Sequence, residues 1–187
     1  MELNEAIRKR RSVRKYTDYR VTDEEIREVL EAARLAPSWA NTQVWEFIVV
    51  RDPDLIRAVA ATYSELNPAR KCSDNASALI VACAKKGVSG CKGGGEDVTK
   101  FSNWYMFDLG LAVQNLCLKA HELGLGTVIV GYLDHDKCKA LLALPDEYEA
   151  VAVLPIGRPA VAGKEGPPRR ALREFVHGDR FGNPLPW

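Results

Sequence analysis

The sequence lacks any long hydrophobic run. Its longest apolar stretches, residues 78–84 and 151–156 among them, are far shorter than the roughly 20 residues that a membrane-spanning helix needs. The first residues are acidic and then strongly basic, and they contain no apolar segment of the kind found in signal peptides. These two absences predict a cytoplasmic protein with no membrane partner.

An excess of charge of either sign is also missing. The 26 Lys and Arg residues are balanced by 25 Asp and Glu residues, which leaves a formal net charge of +1. A chain-wide basic field that would attract nucleic acid is therefore excluded, although a local basic cluster is not.

Cysteine is sparse, and no C-x-x-C pair occurs among the five cysteines. Their odd number predicts reduced thiols, and no metal site is expected because a structural zinc ion takes four ligands. The length of 187 residues and the 47% share of hydrophobic residues suit one globular domain. We expect this single domain to span residues 1–187.

Helical and strand patterns alternate along the chain, as hydrophobic periodicity indicates. Thr22 and Glu25 form a capping box before a helical run that ends at Pro37, and Asp52-Pro53 opens another helix. The predicted helices are 3–10, the run between Thr22 and Pro37, 53–65, 103–123 and 136–144. The predicted strands are 45–50, 78–84, 127–130 and 150–156.

Two segments have an unusual character. The long helix 103–123 is apolar on more than one side, which predicts burial in the core or in a subunit interface. Residues 160–187 contain Pro and Gly throughout and show little periodicity, so we expect an extended arm rather than a second domain.

The first candidate site is a basic cluster, residues 8–15, which contains six cations. A solvated helix end and a nucleic-acid patch are both possible interpretations. The helix should end near Arg11, so Ser12 and Arg14 alternate on an extended segment and lie on the same side. Guanidinium groups bind phosphate through paired hydrogen bonds, and this arrangement favours a discrete anion site.

The second and third candidates are loops that adjoin predicted strands, where ligands often bind. Asn41 and Gln43 carry amides that can pair with the edge of a heterocycle, although a loop with local side-chain caps is the plainer interpretation. Gly157-Arg158 follows the last strand and can approach an anion, with a salt bridge as the default. The glycine-rich stretch 85–95 lacks the G-K-[ST] ending of a P-loop and is expected to be a flexible loop.

These stretches, in this order, resemble the FMN-dependent nitroreductase family over nearly the whole chain. The matching motifs are Arg10-Arg11-Ser12-x-Arg14, Pro37-Ser38-x-x-Asn41-x-Gln43-x-Trp45, Asp108-Leu109-Gly110 with Gln114-Asn115-Leu116, Gly124-Leu125-Gly126-Thr127, and Ile156-Gly157-Arg158-Pro159. The tail Phe175-Val176-His177 with Arg180-Phe181-Gly182 is similar as well. The resemblance implies an α+β fold, with a central mixed sheet wrapped by helices and a C-terminal arm in a homodimer.

The same resemblance implies the residues that bind FMN at the subunit interface. Those at the phosphate are Arg10, Arg11, Ser12, Gly157 and Arg158. Those at the pyrimidine edge of the flavin are Arg14 and Lys71. Those that line the ring near N5 are Val128, Val130 and Gly131, and those contributed by the other subunit are Pro37, Ser38, Trp39 and Asn41. Trp39 and Val44 depart from the family, which commonly has a small residue and a proline there.

The activity implied is a ping-pong cycle, in which NAD(P)H delivers hydride to the flavin and a small-molecule acceptor then takes its place. Nitroaromatics and quinones are the acceptors that the resemblance suggests, and some relatives carry out reductive dehalogenation instead. No catalytic side chain is expected, because no Ser-His-Asp, Cys-His or paired-carboxylate pattern occurs. A non-catalytic flavin-binding redox sensor and a nucleic-acid-binding domain are the rival interpretations.

Overall fold

The computed structural model describes residues 1–93, 95–161 and 166–186. The helices are α1 (Leu3–Lys9), α2 (Asp23–Arg34), α3 (Pro53–Ala61), α4 (Arg70–Ser73), α5 (Trp104–Glu122) and α6 (His135–Leu141). The strands are β1 (Trp45–Val50), β2 (Ala78–Lys85), β3 (Gly126–Thr127) and β4 (Tyr148–Gly157). Short 3₁₀ turns occupy Trp39–Asn41 and Leu172–Glu174.

The strands form one sheet in the order β1-β2-β4-β3, and neighbouring strands are antiparallel at each junction. This arrangement confirms the α+β class. It corrects the expectation of a mixed sheet, since among the described strands the pairing is antiparallel throughout. Parallel pairing occurs at the isolated bridge between Ser12 and Thr127, where the N-terminal segment runs beside β3.

The sheet separates two hydrophobic layers, and β2 alternates its side chains between them. Ile80 and Ala82 pack among residues of α2 and α5, whereas Leu79 and Val81 pack with residues of α3 and α6. Because both faces of β2 are covered, the strand is apolar from Ala78 to Ala84 instead of alternating with polar residues.

One side of the long helix α5 lies in the core, and the other side lies at the surface. One side buries residues such as Leu109 and Leu116 against α2 and the sheet. Near its N-terminus, Met106 and Phe107 are exposed. The apolar character seen in the sequence therefore reflects a core face together with an uncovered apolar end.

Several predicted elements differ from the structure; helix α6, for example, ends at Leu141 instead of residue 144, and β4 extends over Tyr148–Gly157. Helix α3 ends at Ala61 instead of Glu65, because the Thr62 hydroxyl and the Tyr63 amide bond back to the preceding turn. The predicted strand 127–130 pairs regularly only to Thr127 and then meets β4 again at the Val130–Val153 bridge. The four-residue helix α4 was not predicted, because so short an element carries no periodic signal.

Two predicted segments are described only in part. Residue 94 of the predicted flexible loop and residues 162–165 and 187 of the predicted arm lie outside the described residues. Within the loop, Ser89 and Gly90 are buried. Within the arm, residues 166–186 are mostly exposed and contain the 3₁₀ turn Leu172–Glu174.

Candidate functional site

The extended segment 10–17 joins parts of the sequence that are far apart. Helix α1 ends at Lys9, and the Val13 amide then donates to the Thr127 carbonyl at 2.9 Å. The Thr17 amide donates to the Arg158 carbonyl at 2.9 Å. The segment therefore lies beside the end of β3 and the end of β4, and the motifs 10–14, 126–131 and 157–158 share one edge of the sheet.

Two glycines make this close approach possible. A Cβ on Gly157 would lie 2.9 Å from the ring of Tyr16, and a Cβ on Gly126 would overlap Val13. Tyr16 is itself buried, its hydroxyl donates to the Pro155 carbonyl at 3.0 Å, and burial raises its pKa. Packing against Tyr16 thus accounts for Gly157, whose assignment to the phosphate group remains a prediction.

Arg10 and Arg11 place positive charge at the start of this segment. The Arg11 guanidinium donates to the carbonyls of Arg8 and Arg10 at 2.5 and 2.8 Å. Its Nε is buried with no hydrogen-bond partner among the described residues, and a Cβ on Gly166 would lie 2.8 Å from it. Burial, followed by the charge of Arg10, lowers the pKa of His121 on α5. The cluster therefore has unused capacity to bind an anion.

Ser12 and Arg14 are exposed, as expected for groups that meet a ligand. Burial raises the pKa of the Cys72 thiol, and the nearby charge of Arg14 opposes this shift. Tyr16, two residues after Arg14, packs in the same hydrophobic cluster as Cys72 of α4, the helix that carries the exposed Lys71. The structure brings the two residues predicted at the pyrimidine edge to the same region.

Arg158 has protein partners of its own. Its guanidinium carbon lies 3.7 Å from the centre of the Tyr19 ring, and its Nη2 lies 3.6 Å from a carboxylate oxygen of Glu25. The salt bridge that the sequence offers as the default is therefore present. To bind a phosphate, the Arg158 guanidinium has to leave Glu25 or contact Glu25 and the phosphate together.

The residues predicted near the flavin ring differ in exposure. Val128 and Val130 are buried in the core, so their side chains do not line an open site, and only their backbone is available there. Ile129, which was not in the predicted set, is exposed. Gly131 is exposed as well, and a Cβ built on it would have no atom within 4 Å. The open space beside Gly131 is compatible with a planar ring.

The loop 38–43 has a strained backbone. Ala40, Asn41 and Gln43 have φ values of 44°, 59° and 47°, in the left-handed region that residues other than glycine rarely adopt. The Ser38 hydroxyl accepts from the Gln43 amide at 2.9 Å and closes the loop. Pro37 is exposed at the loop's start.

Asp108 connects this loop to the core. It is 2% exposed, and its carboxylate accepts from the Trp39 amide at 3.1 Å and from the Ser89 hydroxyl at 2.7 Å. The sequence marks Asp108 only as part of the Asp108-Leu109-Gly110 motif. An acidic residue at a core-facing position of a helix is the signal from which its structural role could have been found.

An aromatic cluster surrounds Trp39. Its ring centre lies 5.0 Å from that of Trp104, and Trp104 lies 5.7 Å from Phe107 in an edge-to-face arrangement. Trp39 is therefore accommodated by packing against Trp104 on α5. Trp104 was not identified from the sequence.

Two further observations bear on function. Among residues 1–93, 95–161 and 166–186, no helix has both the length and the apolar character needed to span a bilayer. Within the same described residues, no three His, Cys, Asp or Glu side chains group as metal ligands would.

Comparison with known proteins gives consistent matches. Residues 7–158 match the model of the nitroreductase family. The chain is 36% identical over 156 residues to an Archaeoglobus fulgidus protein named NADH dehydrogenase/NAD(P)H nitroreductase, covering 80% of this chain and 81% of that one. It is 28% identical to the FMN reductase (NADPH) of Bacillus subtilis, covering 95% and 73% of the two chains.

A solved structure agrees with this match. The FMN-dependent nitroreductase of Clostridium difficile R20291 superposes with a TM-score of 0.79 at 28% identity, and the match covers 96% of this chain and 100% of that one. The family match spans most of the sequence, and the fold agrees over 96% of the chain. The chain therefore belongs to the nitroreductase family and is an oxidoreductase enzyme.

Proposed function

We propose that the protein is an FMN-dependent oxidoreductase that transfers reducing equivalents from NAD(P)H to a small aromatic acceptor, a nitroaromatic or a quinone. The observation that carries this proposal is the convergence of 10–14, 126–131 and 157–158 along one edge of the sheet. In this proposal the protein is cytoplasmic. Its site is completed by a second copy of the chain.

The described residues fit the phosphate end of FMN. A phosphate needs cationic and neutral donors, and Arg10 and Ser12 supply both on one segment. The buried and unpartnered Arg11 Nε is a further donor in the same cluster. Arg158 joins this group by sharing its charge between Glu25 and the phosphate.

The described residues also fit the ring of FMN. The open space beside Gly131 admits a flat group, and the backbone amide of Gly131 is the donor that we assign to the flavin N5. Arg14 and Lys71 supply positive charge for the pyrimidine edge, where it stabilises the anionic reduced flavin.

Bound FMN supplies the redox chemistry, so the chain needs no catalytic acid or base of its own. The residues named above bind, orient and shield the reacting face. Reductant and acceptor use that face in turn, which makes the kinetics ping-pong.

A homodimer explains the uncovered apolar surface. Phe175 and Phe181 in the arm are both large and exposed, and Phe181 is 92% exposed. In the dimer, Pro37, Ser38, Trp39 and Asn41 of one copy complete the site of the other. Sedimentation should give twice the 20.7 kDa mass of the chain, and a flavin-loaded monomer would contradict the shared site.

The main test is spectroscopic. Purified protein should be yellow, its flavin should bleach anaerobically with NADH or NADPH, and a nitroaromatic should restore the colour. Steady-state rates should give parallel double-reciprocal lines. A yellow protein that neither nucleotide bleaches would instead be the redox sensor.

Arg10→Ala tests the phosphate assignment. A hydrogen bond to a charged group contributes about 1.5–3 kcal/mol, so FMN affinity should fall roughly 10- to 100-fold. Lys9→Ala is the control, because Lys9 is exposed and pairs with Glu5. Full retention of FMN by Arg10→Ala through dialysis would refute the assignment.

A further inference from the structure

A cavity of about 560 Å³ opens at the start of α5 and is not part of the cofactor site described above. Its walls include Phe101, Trp104, Met106 and Phe107, with Lys100 at one side. Cavities of roughly 300–1,000 Å³ with apolar walls and few polar groups are typical of small-molecule sites. The size therefore suits a ligand of one or two aromatic rings.

The aromatic wall of this cavity is preformed. The Trp104 indole donates to the Thr99 hydroxyl at 2.7 Å. Gly90 lies directly against the ring, where a Cβ would overlap the indole. Trp104 is thus fixed on two sides, and on a third it packs against Trp39, whose ring is tilted by 49°.

The exposed rings offer contact area that no described residue covers. Phe101 and Phe107 are 59% and 61% exposed. Aromatic side chains left in this way at the mouth of a cavity can stack with a planar ligand. Trp39 links the cavity to the loop that the proposed function places at the partner's flavin.

The polar groups at the cavity favour negative charge. The Lys100 ammonium lies 4.9 Å from the centre of the Phe101 ring, and no ion pair among the described residues includes it. The cavity is also lined by Ser102 and Asn103, and Asn103, the N-cap of the 19-residue α5, makes no side-chain capping bond. The helix end adds weakly to the attraction that Lys100 supplies.

We propose that this cavity is the acceptor subsite, and that it selects planar aromatic acceptors that carry an anionic substituent such as a carboxylate. Phe107 and Trp104 hold the ring, and Lys100 pairs with the anionic group. The inference rests on the proposed function, which supplies the adjoining flavin.

The test measures binding without turnover. Oxidised, flavin-loaded protein is titrated with 4-nitrobenzoate and with its neutral isostere 4-nitrobenzamide, in the absence of NAD(P)H. The change in tryptophan fluorescence or flavin absorbance gives each dissociation constant. An exposed charge pair supports a preference of about 3- to 5-fold for the carboxylate, which should shrink as salt is added.

Three variants separate the roles. Lys100→Gln should bind the two ligands equally, whereas Lys92→Gln, an exposed lysine outside the cavity, should keep the preference. Phe107→Ala should weaken both ligands by roughly 3- to 10-fold and leave the preference intact. Because Phe107 is largely exposed, this variant is expected to fold.

Equal affinity of the wild type for both ligands, or a preference that survives in Lys100→Gln, would overturn the proposal. Dissociation of the dimer in Phe107→Ala with unchanged affinity would assign the cavity to a subunit contact and overturn it too. Failure of NAD(P)H to bleach the flavin is a separate result. It would refute the proposed function while the binding preference still stood.

Discussion

The segment 10–17 and the loop 38–43 both present groups that the proposed cofactor site needs, but they are held in different ways. The segment is fixed by backbone hydrogen bonds to Thr127 and Arg158. The loop is strained and is tied to the core through the side chain of Asp108. The hold on the segment does not depend on a side chain, whereas the hold on the loop is lost when the carboxylate of Asp108 is removed.

The largest effect on stability is expected when the hydrogen bonds that Asp108 accepts are removed. Asp108→Ala leaves the Trp39 amide and the Ser89 hydroxyl without their partner, which should lower the free energy of unfolding by about 2–4 kcal/mol. Urea denaturation measures this loss. Asp18→Ala, at an exposed position, is the control and should differ from the wild type by less than about 0.5 kcal/mol. A similar small effect for Asp108→Ala would show that the loop has other support.

The segment is vulnerable instead at a glycine that packs against it, Gly157. Gly157→Ala forces a Cβ against the Tyr16 ring and should cost about 1–3 kcal/mol, read from the urea midpoint. Gly131→Val meets open space, so its stability should stay near that of the wild type. The valine should still slow flavin bleaching by NAD(P)H in stopped flow, because it crowds the proposed ring site. Equal stability of both variants would remove the packing explanation for Gly157.

Relief of the backbone strain in loop 38–43 should raise the stability of the protein instead of lowering it. Ala40 adopts a left-handed conformation, which costs roughly 1–2 kcal/mol for a residue with a Cβ. Ala40→Gly removes this cost but adds chain entropy to the unfolded state, so the net gain in stability should be about 0.5–1 kcal/mol. Thermal denaturation measures it. A loss of stability would indicate that the alanine methyl makes a contact worth more than the strain.

A pH titration gives the smallest effect and concerns His121 on α5, whose pKa is affected by the charges at the start of the segment. Burial and the charges of Arg10 and Arg11 lower the pKa of His121, while Glu5 opposes them. The unfolded chain then binds a proton more readily, so the free energy of unfolding decreases as the pH falls through the ordinary histidine value of 6.5. His121→Gln should lessen this decrease in urea denaturation. An unchanged pH profile would mean that other groups cause it.

Local signals were sufficient for much of the fold. The capping box at Thr22 and the Asp52-Pro53 start of α3 both appear in the structure, with the predicted hydrogen bonds. Strand β1 has the predicted bounds, because a short and mostly apolar run between turn residues has a clear pattern.

The features that the sequence did not predict depend on contacts between residues that lie far apart in the chain. The burial of Val128 and Val130 follows from pairing with β4 across the Val130–Val153 bridge, which alternation in four residues does not reveal. The buried role of Asp108 depends on Ser89 and Trp39, which lie far from it in the chain. The binding roles carried by the family motifs stay predictions until a cofactor is bound.

The isolated bridges of the N-terminal segment also bear on synthesis. Ser12 pairs with Thr127, and Tyr16 pairs with Pro159, so the nascent chain carries the residues proposed to bind phosphate for most of translation without the neighbours that position them. The edge forms only after residue 160 has left the ribosome. Cofactor capture should therefore be one of the last steps in the maturation of this protein, and ribosome-bound chains that end before β4 should not retain flavin.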